Sequence, residues 1–473
     1  MFKTLRNAWK LPELRKKILY TLLLLVIFRF GSYVTAPGVN VESLELLQGS
    51  ASPLLQTVNV ITGGAFSQLS IFAMSISPYI TASIVIQLLT VAIPSLENLS
   101  KEGEAGKKKL SRYTKYTAVL LAAVEAFGLY LAYRGEKLAL AADGTMQVVN
   151  CFVSEGIMVP LMFILTLTAG STFLMWVGDQ ITSRGIGSGI SLLIFAGIIS
   201  GLPQAGQYLY SVAVNGITTV GATGEIVVLL NGLANKSIAG LLVSLGVIIG
   251  AVLLIAGVVW VTEAERRIPV QYAKRVVGRK MYGGQNTHIP MKLSMAGVLP
   301  VIFAMSAMQF PSMIIQLVNP NIAAASGFWA GVYKICAFSS LGMTYSDPMF
   351  WVYGIVHSLI YLVLIVAFTY FYTWMVFNPV EISNNLKKNG GFIPGIRAGK
   401  KTEEYLRSVL NNITVFGAIF LGIIAILPIL AQFAGLQISF GGTAILIVVG
   451  VALESIRQLE SQMLVRHYKG FLD

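Results

Sequence analysis

The uncharged stretch that decides the fold of this chain reads Gly63-Gly-Ala-Phe-Ser-Gln-Leu-Ser-Ile-Phe-Ala-Met-Ser-Ile-Ser-Pro-Tyr-Ile-Thr-Ala-Ser-Ile-Val-Ile-Gln-Leu-Leu-Thr-Val-Ala-Ile-Pro94. No single helix can run through it, because a glycine pair opens it and Pro78 interrupts it. The part before Pro78 predicts a short helix of about ten residues, roughly 15 Å or half of a bilayer core. The part from 75 to 93 is long enough to cross the bilayer as a helix. Polar or irregular backbone at that depth is tolerated only where protein or a water-filled cavity lines it. The stretch therefore predicts a broken membrane segment beside a cavity.

The composition of the whole chain is that of a polytopic membrane protein. Of its 473 residues, 55% are hydrophobic and 12% are charged, and the mean hydropathy is +0.73, outside the range of soluble domains. A basic N-terminus followed by a long apolar run predicts a first span that is retained rather than cleaved as a signal peptide. Uncharged windows between turn signals predict ten spans. They lie at about 18–36, 75–94, 114–133, 156–178, 187–204, 237–261, 294–317, 349–377, 408–430 and 441–459.

Positive charge is concentrated on one predicted face of the membrane. With a cytosolic N-terminus, most of the 34 Lys and Arg residues fall in the two termini and in the even-numbered connections between spans. The positive-inside rule therefore predicts that the N-terminus and the C-terminus are both cytosolic. The formal net charge of +13 then belongs largely to the cytosolic face.

Two of these basic loops, 262–293 and 378–407, are longer than a topology signal requires. In the first, a strand predicted at 270–277 and turns at Gly278 and Gly283-Gly284 favour a projecting hairpin. Lys and Arg interleaved with Tyr, Phe and Gly suit a docking surface for an acidic or phosphate-bearing partner, including structured RNA. The alternative is a solvated basic surface near anionic lipid.

The residue types argue against an enzyme. The sequence contains no phosphate-binding loop, no His and Glu pair at zinc spacing and no hydrolase nucleophile elbow. Cys151 and Cys336 have no partner at metal-ligand spacing, and the three histidines lie in separate regions. We therefore expect no catalytic site, no metal and no cofactor.

Charged residues within the predicted spans are few. Arg29 is interpreted as an interior packing or snorkelling residue, and Glu125 is a second isolated charge. A secondary transporter for a small solute is one alternative function, but it would need ionisable groups that converge at the midplane. A membrane scaffold is another, and it leaves the broken segment unexplained.

Several strings resemble the SecY family of protein-conducting channels. They occur in the order found in that family and extend over essentially the whole chain. The strings are Ser70-Ile-Phe-Ala-Met-Ser-Ile-Ser-Pro-Tyr, Gly178-Asp-Gln-Ile-Thr-Ser-Arg-Gly, Glu265-Arg-Arg-Ile-Pro-Val-Gln-Tyr-Ala-Lys-Arg, Thr287-His-Ile-Pro, Met295-Ala-Gly-Val-Leu-Pro-Val, Gly391-Phe-Ile-Pro-Gly-Ile-Arg and Gly441-Gly-Thr-Ala-Ile. The resemblance implies an all-α polytopic membrane protein with ten transmembrane helices in two pseudo-symmetric inverted halves. The halves would be 1–205 and 237–473, with an external connection at 206–236, a central hourglass pore, a plug half-helix and a lateral gate.

The resemblance also implies roles for individual residues. The plug, at about 62–73, would include Gly63, Gly64, Phe66, Ser67 and Leu69. An apolar ring at the waist of the pore would consist of Ile76, Ile80, Ile194, Leu299, Ile302 and Ile447. The lateral gate, between spans two and three on one side and seven and eight on the other, would include Thr81, Ser83, Gln87 and Ser294. Without the resemblance, the ring positions would be interpreted as ordinary helix core. We expect Gln87→Leu to favour the closed gate through drier packing.

The function implied is passage of unfolded secretory polypeptides across the bacterial plasma (inner) membrane, with sideways release of transmembrane segments into lipid. The ribosome or the SecA motor ATPase would drive this transport from the loops at 262–293 and 378–407. Docking contacts would come from Arg266, Arg267, Lys274, Arg275, Arg397, Lys400 and Lys401. SecE and SecG are implied as further subunits, signal sequences and nascent polypeptides as cargo, and membrane lipids as the surroundings of the gate.

Overall fold

The computed structural model of the chain describes residues 2–44, 63–140, 146–153, 156–215, 236–272, 275–277, 280–282, 286–295, 297–319, 322, 327–338, 349–433 and 442–469. The helices are α1 (Phe2–Lys10), α2 (Pro12–Gly31), α3 (Ser77–Ala92), α4 (Pro94–Lys101), α5 (Glu104–Tyr133), α6 (Met158–Arg184), α7 (Gly189–Ser200), α8 (Leu202–Asn215), α9 (Lys236–Glu263), α10 (Leu299–Val318), α11 (Phe328–Cys336), α12 (Phe350–Val376), α13 (Pro379–Lys388), α14 (Lys400–Phe433) and α15 (Gly442–Lys469). The strands are β1 (Glu136–Leu140), β2 (Met146–Asn150), β3 (Glu265–Tyr272), β4 (Arg275–Val277), β5 (Lys280–Tyr282), β6 (Asn286–Lys292) and β7 (Gly391–Phe392).

The helical content agrees with the predicted membrane spans. Within the described residues, eight helices are long and apolar enough to cross a membrane, and α3 with α4 forms a ninth candidate that bends by 100°. The bend lies before Pro94, which cannot continue the helical hydrogen bonding. The first predicted span corresponds to α2, a 20-residue helix with three basic residues near its start and Arg29 near its end. Ten helices thus overlap the ten predicted windows, while ten spans as a number stays a prediction.

The segment before α3 differs from the prediction. Residues 63–69 and 71–76 form turns, separated by an isolated β-bridge between Ser70 and Thr35, rather than the expected short helix. The backbone φ is +67° at Gly63 and +91° at Gly64, and it is also positive at Leu69 and Ser75. Since an α-helix requires φ near −63° throughout, these four residues prevent one. The prediction of a half-helix was therefore wrong within the described residues, and 62 lies outside them.

This turn segment 63–76 is held against α6 and against the chain that follows α2. The Ile71 amide donates to the Val34 carbonyl at 2.9 Å, and the Ser171 hydroxyl of α6 donates to the Ser75 carbonyl at 3.1 Å. Gly170 of α6 faces the Ile71 carbonyl so closely that a Cβ there would overlap it. Because Gly170 has no side chain, the non-helical backbone of the turn segment can pack directly against the backbone of α6.

The predicted hairpin in the loop 262–293 is confirmed, with different boundaries. Strands β3 and β6 pair antiparallel from Glu265↔Lys292 to Gln271↔Asn286, so the main strand begins before the predicted 270 and ends at 272. A second, short pair of strands, β4 and β5, lies further out along the loop. Strand β7, from the loop 378–407, adds to the outer edge of β3. The two basic loops therefore share one three-stranded sheet.

The buried core lies in several clusters that follow the two halves of the chain. One is made mainly from α9, α10, α12, α14 and α15, with Ile84 of α3 inserted into it. Two others join α2, the turn segment, α5, α6 and α7. The division into halves at 1–205 and 237–473 stays a prediction, and most of the connection at 206–236 lies outside the described residues.

Candidate functional site

An apolar cluster lies where four helices meet, and we call it the waist cluster. Its buried members are Ile194, Ile198, Ala444, Ile447 and Val451, from α7 and α15. Ile80 of α3 and Ile302 of α10 are partly buried and pack against them. The cluster therefore brings together aliphatic side chains from two distant parts of the sequence, 80–198 and 302–451.

Four of the six predicted ring residues belong to this cluster, and two lie elsewhere. Ile76 is buried one turn before Ile80, among residues of α2, α6 and α7. Leu299 is the first residue of α10, is 38% exposed and lies outside the apolar clusters that the described residues form. Ile80 packs against the cluster that contains Ile76 and against the waist cluster, and it therefore connects Ile76 to the waist.

The turn segment 63–76 occupies the space between α5, α6 and α7. Leu69 and Phe66 are buried, and Leu69 packs in a cluster with residues of α5 and α6. The Ser67 hydroxyl donates to the Gly64 carbonyl at 3.0 Å. Gly63 lies against Gly197 and Ser200 at the end of α7. All five predicted plug residues thus belong to one locally bonded segment on the N-terminal side of the molecule.

The boundary between α3 and the pair α10 and α12 is closed by a hydrogen bond. The Tyr372 hydroxyl of α12 donates to Gln87 Oε1 of α3 at 2.7 Å, and Gln87 Nε2 donates to the Ser83 hydroxyl at 3.0 Å. The Tyr372 ring packs edge-on against Phe303 of α10, with centroids 5.2 Å apart. Tyr372, Gln87 and Ser83 therefore form a polar chain that links α12 to α3.

The remaining predicted gate residues do not cross this boundary. The Thr81 hydroxyl donates to the Ser77 carbonyl of its own helix, and the Ser294 hydroxyl donates to the Gly297 carbonyl in the turn before α10. Sequence reasoning missed Tyr372. Its signal was a phenol within an apolar span, since a buried tyrosine hydroxyl usually has a hydrogen-bond partner.

The predicted docking residues lie on the shared sheet and beside it. Arg266, Arg397 and Lys400 are exposed, while Arg267 pairs with Glu265 at 2.6 Å and Lys401 pairs with Glu404 at 3.0 Å. Lys274 and the side chain of Arg275 lie outside the described residues. These contacts leave basic groups facing solvent on both loops.

The charges on this surface influence one another. The hydrogen bond from Arg267 holds the pKa of the Glu265 carboxyl below its usual range, and Lys401 does the same for Glu404. Partial burial, followed by the nearby Arg457, lowers the pKa of the Lys292 ammonium. Both carboxylates therefore stay ionised, and the surface combines a basic excess with a few fixed negative charges.

A common apolar core makes the two loops one structural unit. Ile268, Val270 and Met291 of the hairpin pack with Leu386 and Ile393 of the second loop and with the start of α14. Arg457 of α15 donates to Glu263 at 2.8 Å, at the base of the hairpin. We call the joined loops 262–293 and 378–407 the platform. A partner that binds one loop would thus contact a surface that includes both.

No metal centre is evident in the part of the chain that the structure describes. Within it, no group of three His, Cys, Asp or Glu residues is placed to hold an ion.

Comparison with known proteins gives the class and then the family. The architecture is that of a multi-pass helical membrane protein with a channel fold. It matches "The structure of a protein conducting channel" with a TM-score of 0.60, at 20% identity over 94% of this chain and 92% of that chain. It also matches a SecY structure, described by its plug domain, which stabilises the closed state and maintains a membrane seal, with a TM-score of 0.59 at 20% identity over 94% and 92%. Sec61 from the canine ribosome-channel complex matches with a TM-score of 0.57, at 19% identity over 94% and 92%.

The sequence comparisons are more specific than the fold. The SecY family model matches residues 70–456. Protein translocase subunit SecY of Halalkalibacterium halodurans is 40% identical over 100% of both chains, and that of Streptomyces coelicolor is 41% identical over 100% of both chains. The chain belongs to the SecY family.

Proposed function

We propose that the chain is the channel subunit of a protein translocase, which passes unfolded secretory polypeptides across the membrane. The observation that carries the proposal is the waist cluster, in which aliphatic side chains from α3, α7, α10 and α15 converge. Such a constriction loses water when it is empty and offers no hydrogen bonds that would retain a passing chain. The relatives named as translocase subunits and the likeness to protein-conducting channels support this function.

In this function, the turn segment 63–76 acts as the plug and closes the resting pore beside the waist cluster. Its buried contacts with α5, α6 and α7 support a defined closed position. The neighbour whose plug domain maintains a membrane seal supports the same role. The ring would comprise Ile76, Ile80, Ile194, Ile302 and Ile447, with Leu299 at its edge.

The boundary of α3 and α5 with α10 and α12 acts as the lateral gate, through which transmembrane segments leave sideways into lipid. Changing a gate from 1:99 open to 99:1 open requires about 5.5 kcal/mol of differential binding. An apolar signal sequence at the gate and a docked partner together supply this energy. Tyr372 and Gln87 oppose opening, because separation of the helices breaks their hydrogen bond.

The platform of the two basic loops receives the partner that drives transport. The ribosome is one such partner, supported by the likeness to Sec61 from a ribosome-channel complex, and SecA is another. SecE and SecG complete the complex. The chain resides in a bacterial plasma membrane with both termini in the cytosol, which places the platform on the cytosolic face.

Site-specific photocross-linking tests the channel function. A photoreactive residue at position 80 or 302 is placed in the assembled translocase, which is engaged with a secretory polypeptide stalled partway across. We expect cross-links to the polypeptide from both positions. A probe at Val363, which is exposed on α12, serves as the control and should not react with a fully translocating chain. Absence of cross-links from both waist positions in an engaged complex would refute the pore.

A further inference from the structure

Arg29, in the last turn of α2, binds three groups from separate parts of the chain. Its Nη1 donates to the Gly63 carbonyl and, at 3.1 Å, to the Ser200 hydroxyl of α7. Its Nη2 donates to the Tyr33 hydroxyl at 2.5 Å, and the guanidinium lies 4.5 Å from the centre of the Tyr33 ring. The sequence suggested an interior packing or snorkelling residue. The structure instead shows a guanidinium with three specific hydrogen-bond partners.

The position of Gly63 depends on this arrangement. Its φ of +67° favours glycine, and a Cβ there would overlap the Ser200 hydroxyl and approach the Gly197 carbonyl to 3.0 Å. The Ser200 hydroxyl donates its proton to the Gly197 carbonyl at 2.6 Å. Its oxygen can therefore accept the hydrogen bond from Arg29. Arg29, Gly63 and Ser200 thus fit as a set at the beginning of the turn segment.

The electrostatics of the site favour a guanidinium. The Gly63 carbonyl and the Ser200 hydroxyl oxygen both present partial negative charge to the cation, and hydrogen bonds from an ionised donor are stronger than neutral ones. Arginine also presents several donors in a planar fork, whereas lysine presents a single compact ammonium. The same side chain can therefore bind α7, Gly63 and Tyr33 at once, which a lysine would do poorly.

We propose that Arg29 is a positioning residue that clamps the beginning of the turn segment 63–76 against the end of α7 and so sets how firmly the resting pore is closed. The role in pore closure rests on the proposed function. The clamp itself is a property of the fold. Movement of the segment out of the pore must break the bond from Arg29 to Gly63, while Ser200 and Tyr33 keep the guanidinium in place for its return.

The test uses the complete translocase, reconstituted in lipid without substrate. Hydrogen exchange, read by mass spectrometry, reports the opening of residues 63–76, whose internal bonds include Ser70 N to Ala65 O at 3.0 Å. The variants are Arg29→Gln, Arg29→Lys and Ser200→Ala. Arg134→Gln is the matched control, because it makes the same change at an exposed arginine that follows a spanning helix.

We expect Arg29→Gln to speed exchange in this segment about tenfold or more, as for the loss of a charge-assisted hydrogen bond. Arg29→Lys and Ser200→Ala should give smaller increases, and Arg134→Gln none. Resting ion conductance across the bilayer should rise in the same order, while substrates with strong signal sequences continue to be translocated. That retained transport shows that the variants are folded.

Two results would overturn parts of this account separately. Unchanged exchange at 63–76 in Arg29→Gln, with transport intact, would refute the clamp and leave the channel function untouched. Faster exchange with unchanged resting conductance would mean that the clamp holds the segment but that this segment does not seal the pore, and it would refute the role in closure.

Discussion

At the scale of single residues, the hydrogen bond between Tyr372 and Gln87 is the clearest feature that would oppose opening of the proposed gate. It joins residues of α12 and α3 at 2.7 Å, in a place where Tyr372 is buried. Hydrogen bonds between helices in membranes average about 0.6 kcal/mol, because the separated groups find other partners. A contribution of that size would tune the proposed gate, since it is far below the roughly 5.5 kcal/mol of a complete switch.

We expect Tyr372→Phe to ease gate opening and to raise export of a substrate with a weak signal sequence by about threefold, the equivalent of about 0.6 kcal/mol. Export assayed in reconstituted vesicles measures the effect. Tyr353→Phe, the same change earlier on α12, is the control and should leave export unchanged. Reduced export in Tyr372→Phe would contradict a role in holding the gate closed.

The same contact revises the expectation for Gln87→Leu. Drier packing was expected to favour the closed gate, but leucine removes the acceptor of the Tyr372 hydroxyl. We therefore expect Gln87→Leu to increase export of the weak-signal substrate. In a double-mutant cycle, adding Tyr372→Phe should give little further change, since both substitutions remove one bond. Additive effects would indicate that the two residues act independently.

At the scale of elements, the turn segment depends on the absence of a side chain at Gly170. The α6 backbone there approaches the Ile71 carbonyl more closely than a Cβ permits. Gly246 of α9 provides the contrast, because it has open space where a Cβ would be. Both are helical glycines, and alanine is favoured over glycine in a helix by about 1 kcal/mol.

We expect Gly170→Ala to lower the thermal unfolding midpoint of the purified complex, because the methyl group must displace the turn segment or α6. Gly246→Ala should leave the midpoint unchanged or raise it slightly. Light scattering or tryptophan fluorescence during heating measures both variants. An equal response of the two would show that the close approach at Gly170 has no energetic consequence.

At the scale of the whole molecule, the platform formed by the two basic loops is joined directly to long helices. The two basic loops share a sheet and an apolar core, and α12 and α14, which flank the second loop, continue into the membrane domain. In the proposed function, the binding energy of a docked partner would therefore act directly on α12 and α14.

We expect Arg397→Glu to spare assembly of the complex and to impair translocation strongly, because it reverses an exposed charge on the platform. Transport of a secretory substrate, compared with the amount of complex in the membrane, measures this. Arg134→Glu reverses another exposed charge, which follows α5 and lies outside the two basic loops, and it serves as the control. Normal transport in Arg397→Glu would remove Arg397 from the docking surface.

Much of the fold followed from the sequence alone. Apolar windows predicted the helices, because burial in lipid depends on local composition. The pattern around 262–293 predicted a hairpin, and the polar residues around Pro78 predicted a broken segment, while the cavity expected beside it stays a prediction. The family resemblance also named Ile80, Ile194, Ile302 and Ile447, which the structure brings together.

Other features depended on contacts between distant parts of the chain, and only the tertiary structure decided them. The turns at 63–76 replace a helix because Ser171 and the chain after α2 provide hydrogen-bond partners for a non-helical backbone, and Gly170 leaves room for it. Strand β7 completes a sheet begun more than a hundred residues earlier. Arg29 gains its role from Gly63 and Ser200, and Gln87 gains its partner from Tyr372. Local composition determines which segments enter the membrane, whereas the pairing of their few polar groups is determined by which segments the fold places side by side.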